Sequence, residues 1–563
     1  MSISKTAHIA ELCSLKGVNN AIICPGSRSA PLTLAFVRNK NINCFAITDE
    51  RSAAYIGMGI AQQTKLPVVL ICTSGSATYN FAPAIAEACF QSIPLIVLTA
   101  DRPNEWIGQM DGQAIYQNNI YTNHVKKFFE LPIDYSNSDC KWFTNRIINE
   151  ALNLATQEPC GPVHINVPLR EPLYTTGEDL STENVRVINH SDRKLYLSGN
   201  EWYSLCKSIS SYNKILVVAG QNEPDLLLSK SIERVSTKLG WPVTGDILSN
   251  LHPITNFIRQ SDAFLGQLTT SMHDQLLPDL VITFGKSLLS KKLKSFLKNE
   301  TIHHWHIQPD GYVADTFQRL TKVIRINPID FFSELYNLDI TLKNTQKNYF
   351  NIWQTTELQT NQLQNKFFQS NKIGEFATVN ELIKLLPKVC NLHLANSMPV
   401  RYANLISLSS NQTQVSVYSN RGTSGIDGGT STAVGHALVS NVPNILITGD
   451  LAFFYDRNAF WHNYPLPNLF IIVLNNHGGL IFDLIEGSGN IPEKPEYFIT
   501  DQKLTAKNLA DEFGFSYFNN KEDMSNFFTP NGKVKILEIE STQKQSKTIF
   551  ENFLLTLNKR HEQ

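Results

Sequence analysis

Short apolar runs rich in β-branched residues alternate along the chain with longer amphipathic segments, the pattern of parallel α/β domains. In the first third, Ala21–Cys24, Cys44–Ile47, Pro67–Cys72, Pro94–Thr99 and Val163–Val167 predict strands. Thr6–Leu15, stopped by Gly17, and Ser52–Gln63 predict helices between them. A polar stretch from Thr175 to Gly199 reads as a linker. Beyond it Lys214–Ala219, Leu280–Phe284 and His303–Ile307 are the clearest strands. Leu342 to Lys372, rich in Asn, Gln, Thr and Lys with spaced aromatics, reads as a surface helix or linker. The last third alternates again, through Leu392–Ala395, Val415–Tyr418, Asn444–Thr448, Leu469–Leu474 and Val534–Ile539. No short repeat is present, but the outer thirds share a rhythm, which suggests two related sheets flanking a middle domain. The expected division is 1–180, 195–340, a linker 341–375, and 376–563.

Length supports several domains, since 563 residues exceed what one core holds. The net charge of −1 gives no global field for nucleic acid or an anionic membrane. No stretch reaches membrane-spanning length, and the N-terminus lacks a signal peptide's apolar core. Nine cysteines, scattered from Cys13 to Cys390 without a CxxC pair, read as reduced thiols of a cytoplasmic protein. Cys72 and Cys89 fit small buried apolar positions better than nucleophiles. His303-His304-Trp305-His306 puts two histidines on one strand face, and without further ligands nearby it reads as structure rather than a metal site.

Chemistry concentrates at strand ends. Gly449-Asp450 follows the strand Asn444–Thr448, and Asn475-Asn476 closes the strand Leu469–Leu474, with Asn476 lying 26 residues beyond Asp450. A glycine there lets the backbone approach a diphosphate. Asp450 and the Asn476 amide oxygen are hard donors suited to Mg²⁺, and the turn His477-Gly478-Gly479 offers a backbone carbonyl. GD and NN pairs are also ordinary turn residues. Gly245-Asp246 is such a pair, with no Asn pair at the required distance. Asp49-Glu50-Arg51 falls where the strand Cys44–Ile47 gives way to a helix. A glutamate there suits the helix dipole.

The GD…NN segment resembles the thiamine-diphosphate motif. Cys24-Pro25-Gly26-Ser27-Arg28-Ser29, Thr73-Ser74-Gly75-Ser76, Thr99-Ala100-Asp101-Arg102-Pro103, Gly112-Gln113-Ala114-Ile115 and the run Ser419 to Gly428 (SNRGTSGIDG) narrow the resemblance. Together they resemble the 2-succinyl-5-enolpyruvyl-6-hydroxy-3-cyclohexene-1-carboxylate synthase family of menaquinone biosynthesis. The resemblance implies three doubly wound parallel-sheet domains of the thiamine-diphosphate-dependent decarboxylase type: pyrimidine-binding, central and diphosphate-binding. It implies Glu50 as the cofactor-activating acid, Gln113 beside the reacting centre and Ile426 as an apolar wedge under the cofactor. Asp450, Asn476 and the Gly478 carbonyl would hold Mg²⁺ or Mn²⁺. Ser76, Ser424, Gly425, Gly449, Leu451 and Ile481 would complete the thiamine diphosphate site.

The implied substrates are 2-oxoglutarate, which is decarboxylated, and isochorismate, to which the resulting carbanion equivalent adds. Ser27, Arg28, Arg102, Lys291, Lys292, Ser397, Arg401, Arg421, Ile481, Phe482 and Ile485 would line their pocket. Guanidinium groups suit two dicarboxylates because they bind carboxylates bidentately and keep their charge when desolvated. A single arginine is more often a surface ion pair. Four inside motif segments of a nearly neutral chain favour a binding role. The chain departs from the family pattern at His477, where Asn is usual, and at Ser290-Lys291-Lys292, where Gly-Lys-Arg is usual, so Lys286 or Lys294 could take the lysine role. The family implies a homodimer or dimer of dimers with active sites at the interface, without nucleic acid or stable membrane insertion. The alternatives are another thiamine-diphosphate-dependent 2-oxoacid decarboxylase or carboligase, and a catalytically inert scaffold.

Overall fold

The computed structural model describes residues 2–174, 185–191, 194–341, 343–484, 491–519 and 524–558, with side chains from residue 5 onward. Its frame is three six-stranded sheets in which every strand pair is parallel. The first comprises β1 (Asn20–Ile23), β2 (Asn43–Ala46), β3 (Val68–Cys72), β4 (Leu95–Asp101), β5 (Phe128–Glu130) and β6 (Val163–Pro168), in the order β2-β1-β3-β4-β6-β5. The second comprises β7 (Ile215–Ala219), β8 (Val243–Gly245), β9 (Phe257–Ile258), β10 (Leu280–Phe284), β11 (His303–Ile307) and β12 (Leu320–Ile324), in the order β12-β11-β10-β7-β8-β9. The third comprises β13 (Val389–Leu394), β14 (Gln414–Tyr418), β15 (Asn444–Gly449), β16 (Leu469–Asn475), β17 (Ser516–Phe518) and β18 (Lys535–Glu540), in the order β14-β13-β15-β16-β18-β17. The third order repeats the first position for position, which accounts for the shared rhythm of the outer thirds.

Parallel pairing demands crossover connections, and helices on both faces then bury the strands. Hence β3 reads as an unbroken apolar run and β10 as one interrupted only by Thr283, and both are buried at every residue. In β11, His304 and His306 both hydrogen-bond the Thr283 hydroxyl at 2.7 Å, so they serve the strand pairing. Of the two readings of Leu342 to Lys372, a helix holds over Asn344–Ser370; Leu342 itself lies outside the described residues. The helix is not merely a solvated one. Tyr349 and Trp353 enter a core of the second sheet, and Phe367 and Phe368 enter the core of the third. Of the expected linker from Thr175 to Gly199, residues 175–184 and 192–193 lie outside the described residues. Val185 and Val187 pack on the first domain.

The first and third sheets share one core through the helices Glu50–Thr64 and Gly429–Val439. These helices cross with backbones nearly touching. A Cβ on Gly59 would lie 2.2 Å from the Thr432 carbonyl oxygen, and one on Gly435 would lie 2.2 Å from that of Ile56. Among the described residues no helix is long and apolar enough to cross a membrane.

Candidate active site

A cavity of about 400 Å³ opens at the C-terminal ends of β13, β15 and β16, where open α/β sheets receive ligands. β15 ends in Gly449, and Asp450 begins the helix Asp450–Tyr455. β16 delivers Asn475 and then Asn476 at the same edge. Asp450, Asn476, Gly449, Leu451 and Gly478 all line the cavity, together with Ser397, Arg401, Arg421, Ser424, Ile426, Ile481 and Phe482. Gly425 lies beside them, its carbonyl accepting 2.6 Å from Asn396 Nδ2. Ile485 lies outside the described residues.

Asp450 is 2% exposed, and burial raises its pKa against an opposing hydrogen bond from Gln502, whose Nε2 lies 2.6 Å from Oδ2. Asn476 is 7% exposed; its Nδ2 donates to Glu375 Oε1 at 2.9 Å, and its Oδ1 is buried without a partner. An orphaned buried acceptor costs about 1–3 kcal/mol. Here it lies at the same strand edge as a buried carboxylate. The Gly478 carbonyl accepts from Leu480 N at 3.1 Å and keeps its second lone pair. This all-oxygen donor set fits a hard divalent cation such as Mg²⁺ or Mn²⁺. A Cβ at Gly449 would meet nothing within 4 Å, so the space before the strand end is open to a ligand.

The run Ser419 to Gly428 is shaped by its passage over the first domain. A Cβ on Gly428 would strike the Tyr55 ring at 2.4 Å, and the Tyr55 hydroxyl donates to Asp427 Oδ2 at 3.0 Å. Buried Glu87 accepts from the backbone N–H groups of Gly422 and Thr423 at 2.7 and 2.6 Å. Held at both ends, the loop projects Ile426 outward, 41% exposed, into the cavity mouth. Two non-glycine residues of the site take left-handed backbone, Ser397 at φ 76° and Ser424 at φ 63°. Such strain is characteristic of functional sites.

Arg401 Nη1 donates to the Ser397 carbonyl at 2.6 Å, and Arg421 Nη1 to Asn396 Oδ1 at 2.8 Å. Neither guanidinium has a carboxylate within 4.0 Å among the described residues. Burial lowers both pKa values, and for Arg401 the charge of Arg421 is the next cause. The charges of Asp262 on Arg401 and of Asp246 and Glu87 on Arg421 offset this only in part, so two half-buried guanidinium groups facing one cavity favour the entry of anions.

The remaining residues gather elsewhere, at the C-terminal edge of the first sheet. Glu50 opens its helix after the Asp49 cap, half-buried, with Asn80 Nδ2 at 3.3 Å from Oε2. Gln113, at φ 58°, is close enough that a Cβ on Gly75 would lie 3.3 Å from its Cα; exposed Ser76 follows. Arg28 donates to the Leu169 carbonyl at 3.1 Å, and Arg102 Nε pairs with Asp111 at 2.8 Å. Burial, then the charge of Arg102, lowers the Arg28 pKa. Ser27 is exposed beside them. None of these lines the cavity. Lys291 is exposed, and Lys292 lies along Gly266, both outside it. Lys294 is the lysine that feels Arg421: burial lowers its pKa first, and repulsion from Arg421 adds to that. Lys286 instead clasps the Gln91 carbonyl of the first domain. Asp246, of the unpaired Gly-Asp, is a buried clasp that accepts from the backbone N–H groups of Leu289 and Ser290.

Sequence reasoning missed Glu375, Gln502 and Asn396. Glu375 carries no motif and reads as an ordinary acidic residue in a helix's first turn. It is fully buried, and burial pushes its carboxyl up to about 7.

Comparisons with known proteins identify the family. Residues 4–126 match the thiamine pyrophosphate enzyme N-terminal TPP-binding domain, and residues 197–394 the middle domain of thiamine pyrophosphate enzymes. The chain is 43% identical to the 2-succinyl-5-enolpyruvyl-6-hydroxy-3-cyclohexene-1-carboxylate synthase of Cytophaga hutchinsonii, over 98% of both chains. It is 39% identical to the synthase of that name from Flavobacterium johnsoniae, over 99% of both. Against that of Phocaeicola vulgatus it is 35% identical, over 98% of both. Identity sustained over almost the whole length, on three parallel sheets with the GD…NN pair at one cavity, makes this chain a member of the 2-succinyl-5-enolpyruvyl-6-hydroxy-3-cyclohexene-1-carboxylate synthase family of thiamine-diphosphate-dependent enzymes.

Proposed function

We propose that the cavity is the diphosphate and substrate half of a synthase that decarboxylates 2-oxoglutarate and adds the product carbanion equivalent to isochorismate, in menaquinone biosynthesis. The observation that carries the substrate assignment is the pair Arg401 and Arg421, half-buried and, among the described residues, without a direct carboxylate ion pair, beside the oxygen donors Asp450 and Asn476. Thiamine diphosphate, when bound, supplies the carbanion-stabilising chemistry. The protein's residues bind, orient and shield. Asp450, Asn476 and the Gly478 carbonyl would hold Mg²⁺ or Mn²⁺, and Gly449 leaves room for the diphosphate. Ile426 would wedge the cofactor from below. Glu50 would hold the proton shared with the aminopyrimidine, with Gln113 beside the reacting atoms. Arg401 and Arg421, with Arg28 and Arg102 from the first sheet, would neutralise the substrate carboxylates, and Ser27 and Ser397 would add hydrogen bonds. Ile481 and Phe482 would exclude water.

Because the Glu50 cluster does not line this cavity, we infer that the two halves meet across a dimer, with Glu50 of one chain serving Asp450 of the other. A dimer, or a dimer of dimers, in the cytoplasm is the assembly this reading calls for. The direct test follows isochorismate absorbance with 2-oxoglutarate, thiamine diphosphate and Mg²⁺. Loss of isochorismate only when all three are present is the expected result. Turnover of 2-oxoglutarate alone, to a free aldehyde at full rate, would favour a simple decarboxylase.

A further inference from the structure

Glu375 lies outside every motif, yet it has the most telling contact of the cavity. It begins the helix Gly374–Leu385, is fully buried, and accepts from Asn476 Nδ2 at 2.9 Å through Oε1. Its Oε2 takes the Tyr402 hydroxyl at 3.4 Å, and Ser541 donates to the same carboxylate. The two ends of an asparagine amide are nearly identical in shape and opposite in chemistry. Turned one way, Asn476 offers an oxygen to a cation; turned the other, it offers an NH₂ group that cannot ligate one. A neighbour that accepts at one end of the amide holds the NH₂ group toward itself, and Glu375 Oε1 does so. The result is visible in Asn476 Oδ1, which is buried and without a partner while Nδ2 is engaged.

We propose that Glu375 is a positioning residue that fixes the Asn476 amide with its oxygen toward the cation site. The inference rests on the proposed metal role of Asp450 and Asn476, and it adds to that reading the residue on which the geometry depends. Asp450 needs no such partner, because either carboxylate oxygen can ligate. Gln502 merely takes one of them, at 2.6 Å. Partners of metal ligands in this outer position commonly contribute 10–100-fold to metal affinity.

The test is a calorimetric Mg²⁺ titration of the full-length protein at saturating thiamine diphosphate, with thermal melts to confirm folding. Glu375→Gln keeps the shape of the side chain but can donate to Asn476 as well as accept. The Mg²⁺ Kd should rise by about 10–100-fold. The double variant Glu375→Gln/Asn476→Asp reverses the hydrogen bond while preserving shape and net charge. Its carboxylate at the ligand position presents an oxygen whichever way it turns, so most of the lost affinity should return. A purely structural role for Glu375 predicts no such rescue. Unchanged Mg²⁺ affinity in Glu375→Gln, or losses that simply add in the double variant, would overturn the proposal. Should Glu375→Gln fail to fold, a crystal structure of the wild-type protein with Mg²⁺ and thiamine diphosphate decides. Asn476 Nδ2 within hydrogen-bond distance of Glu375 supports the proposal, and separation of the two refutes it. Failure of the wild-type protein to bind thiamine diphosphate in a Mg²⁺-dependent way would instead count against the metal reading itself.

Discussion

At the scale of single side chains, the buried Asp450 carboxyl and the unpartnered Asn476 Oδ1 each carry a desolvation cost that a bound cation would relieve. Asp450 is buried and its carboxyl is raised by that burial, so a cation beside it would recover the lost hydration. Asp450→Ala should therefore leave the fold intact and abolish Mg²⁺-dependent thiamine diphosphate binding; calorimetry showing unchanged cofactor affinity would remove Asp450 from the site. On the proposed function, Arg401 and Arg421 would gain from substrate carboxylates, since among the described residues neither makes a direct carboxylate ion pair. Truncating either to Ala should cost about 2–5 kcal/mol in kcat/KM, as when a desolvated charge pair loses one member. Steady-state kinetics for both substrates reads this out, and near-normal constants for both variants would refute the dicarboxylate clamp. Glu50→Gln should bind cofactor normally but exchange the cofactor's C2 proton far more slowly than wild type, because an amide cannot share a proton as a carboxylate does. Equal exchange rates by NMR after acid quench would take the acid–base role away from Glu50.

Among the elements, the crossing of Glu50–Thr64 over Gly429–Val439 holds the first and third sheets against each other. It joins the helix that begins at Glu50 to the one that follows the Ile426 loop. Gly435→Ala would drive a methyl group into the Ile56 carbonyl, and backbone on both sides can yield only by separating the helices. A destabilisation of about 1–3 kcal/mol is expected, seen as a lowered thermal midpoint. Gly199→Ala, where a Cβ meets nothing within 4 Å, is the control and should be neutral. This crossing also marks a limit of what the sequence discloses. Central strands such as β3, β10 and β16 are legible because both faces are buried and the runs are almost wholly apolar. β5, β8, β9, β12 and β17 escape notice: they are edge strands or next to an edge, and only two to five residues long. Motif residues such as Asp450 and Asn476 are legible because local spacing encodes them. Glu375 and Gln502 are not, since they reach the site from far along the chain and their types are commonplace on a helix or loop. The same reason hides the partners of Asp246, which only the fold reveals to be a backbone clasp.

For the molecule as a whole, the proposed function has to account for a cavity that the Glu50 cluster of the same chain does not line. The cavity draws all its lining from residues between Glu375 and Phe482, while Glu50, Gln113, Arg28 and Arg102 lie at the edge of the first sheet. On that reading, a two-fold pairing of chains would set each half against its complement twice over. That arrangement has a consequence no single-chain site shares. Glu50→Gln and Asp450→Ala chains, each inactive alone, are mixed in equal amounts, dissociated and reassembled. Random pairing makes about half of the dimers mixed. In a mixed dimer one site collects both substitutions and the other neither, so about a quarter of wild-type activity should return. If Glu50 and Asp450 served one site within one chain, every site would keep a lesion and nothing would be regained. Native mass spectrometry to confirm the mixed dimers makes the second outcome as decisive as the first: heterodimers without activity would require both halves to close within a single chain.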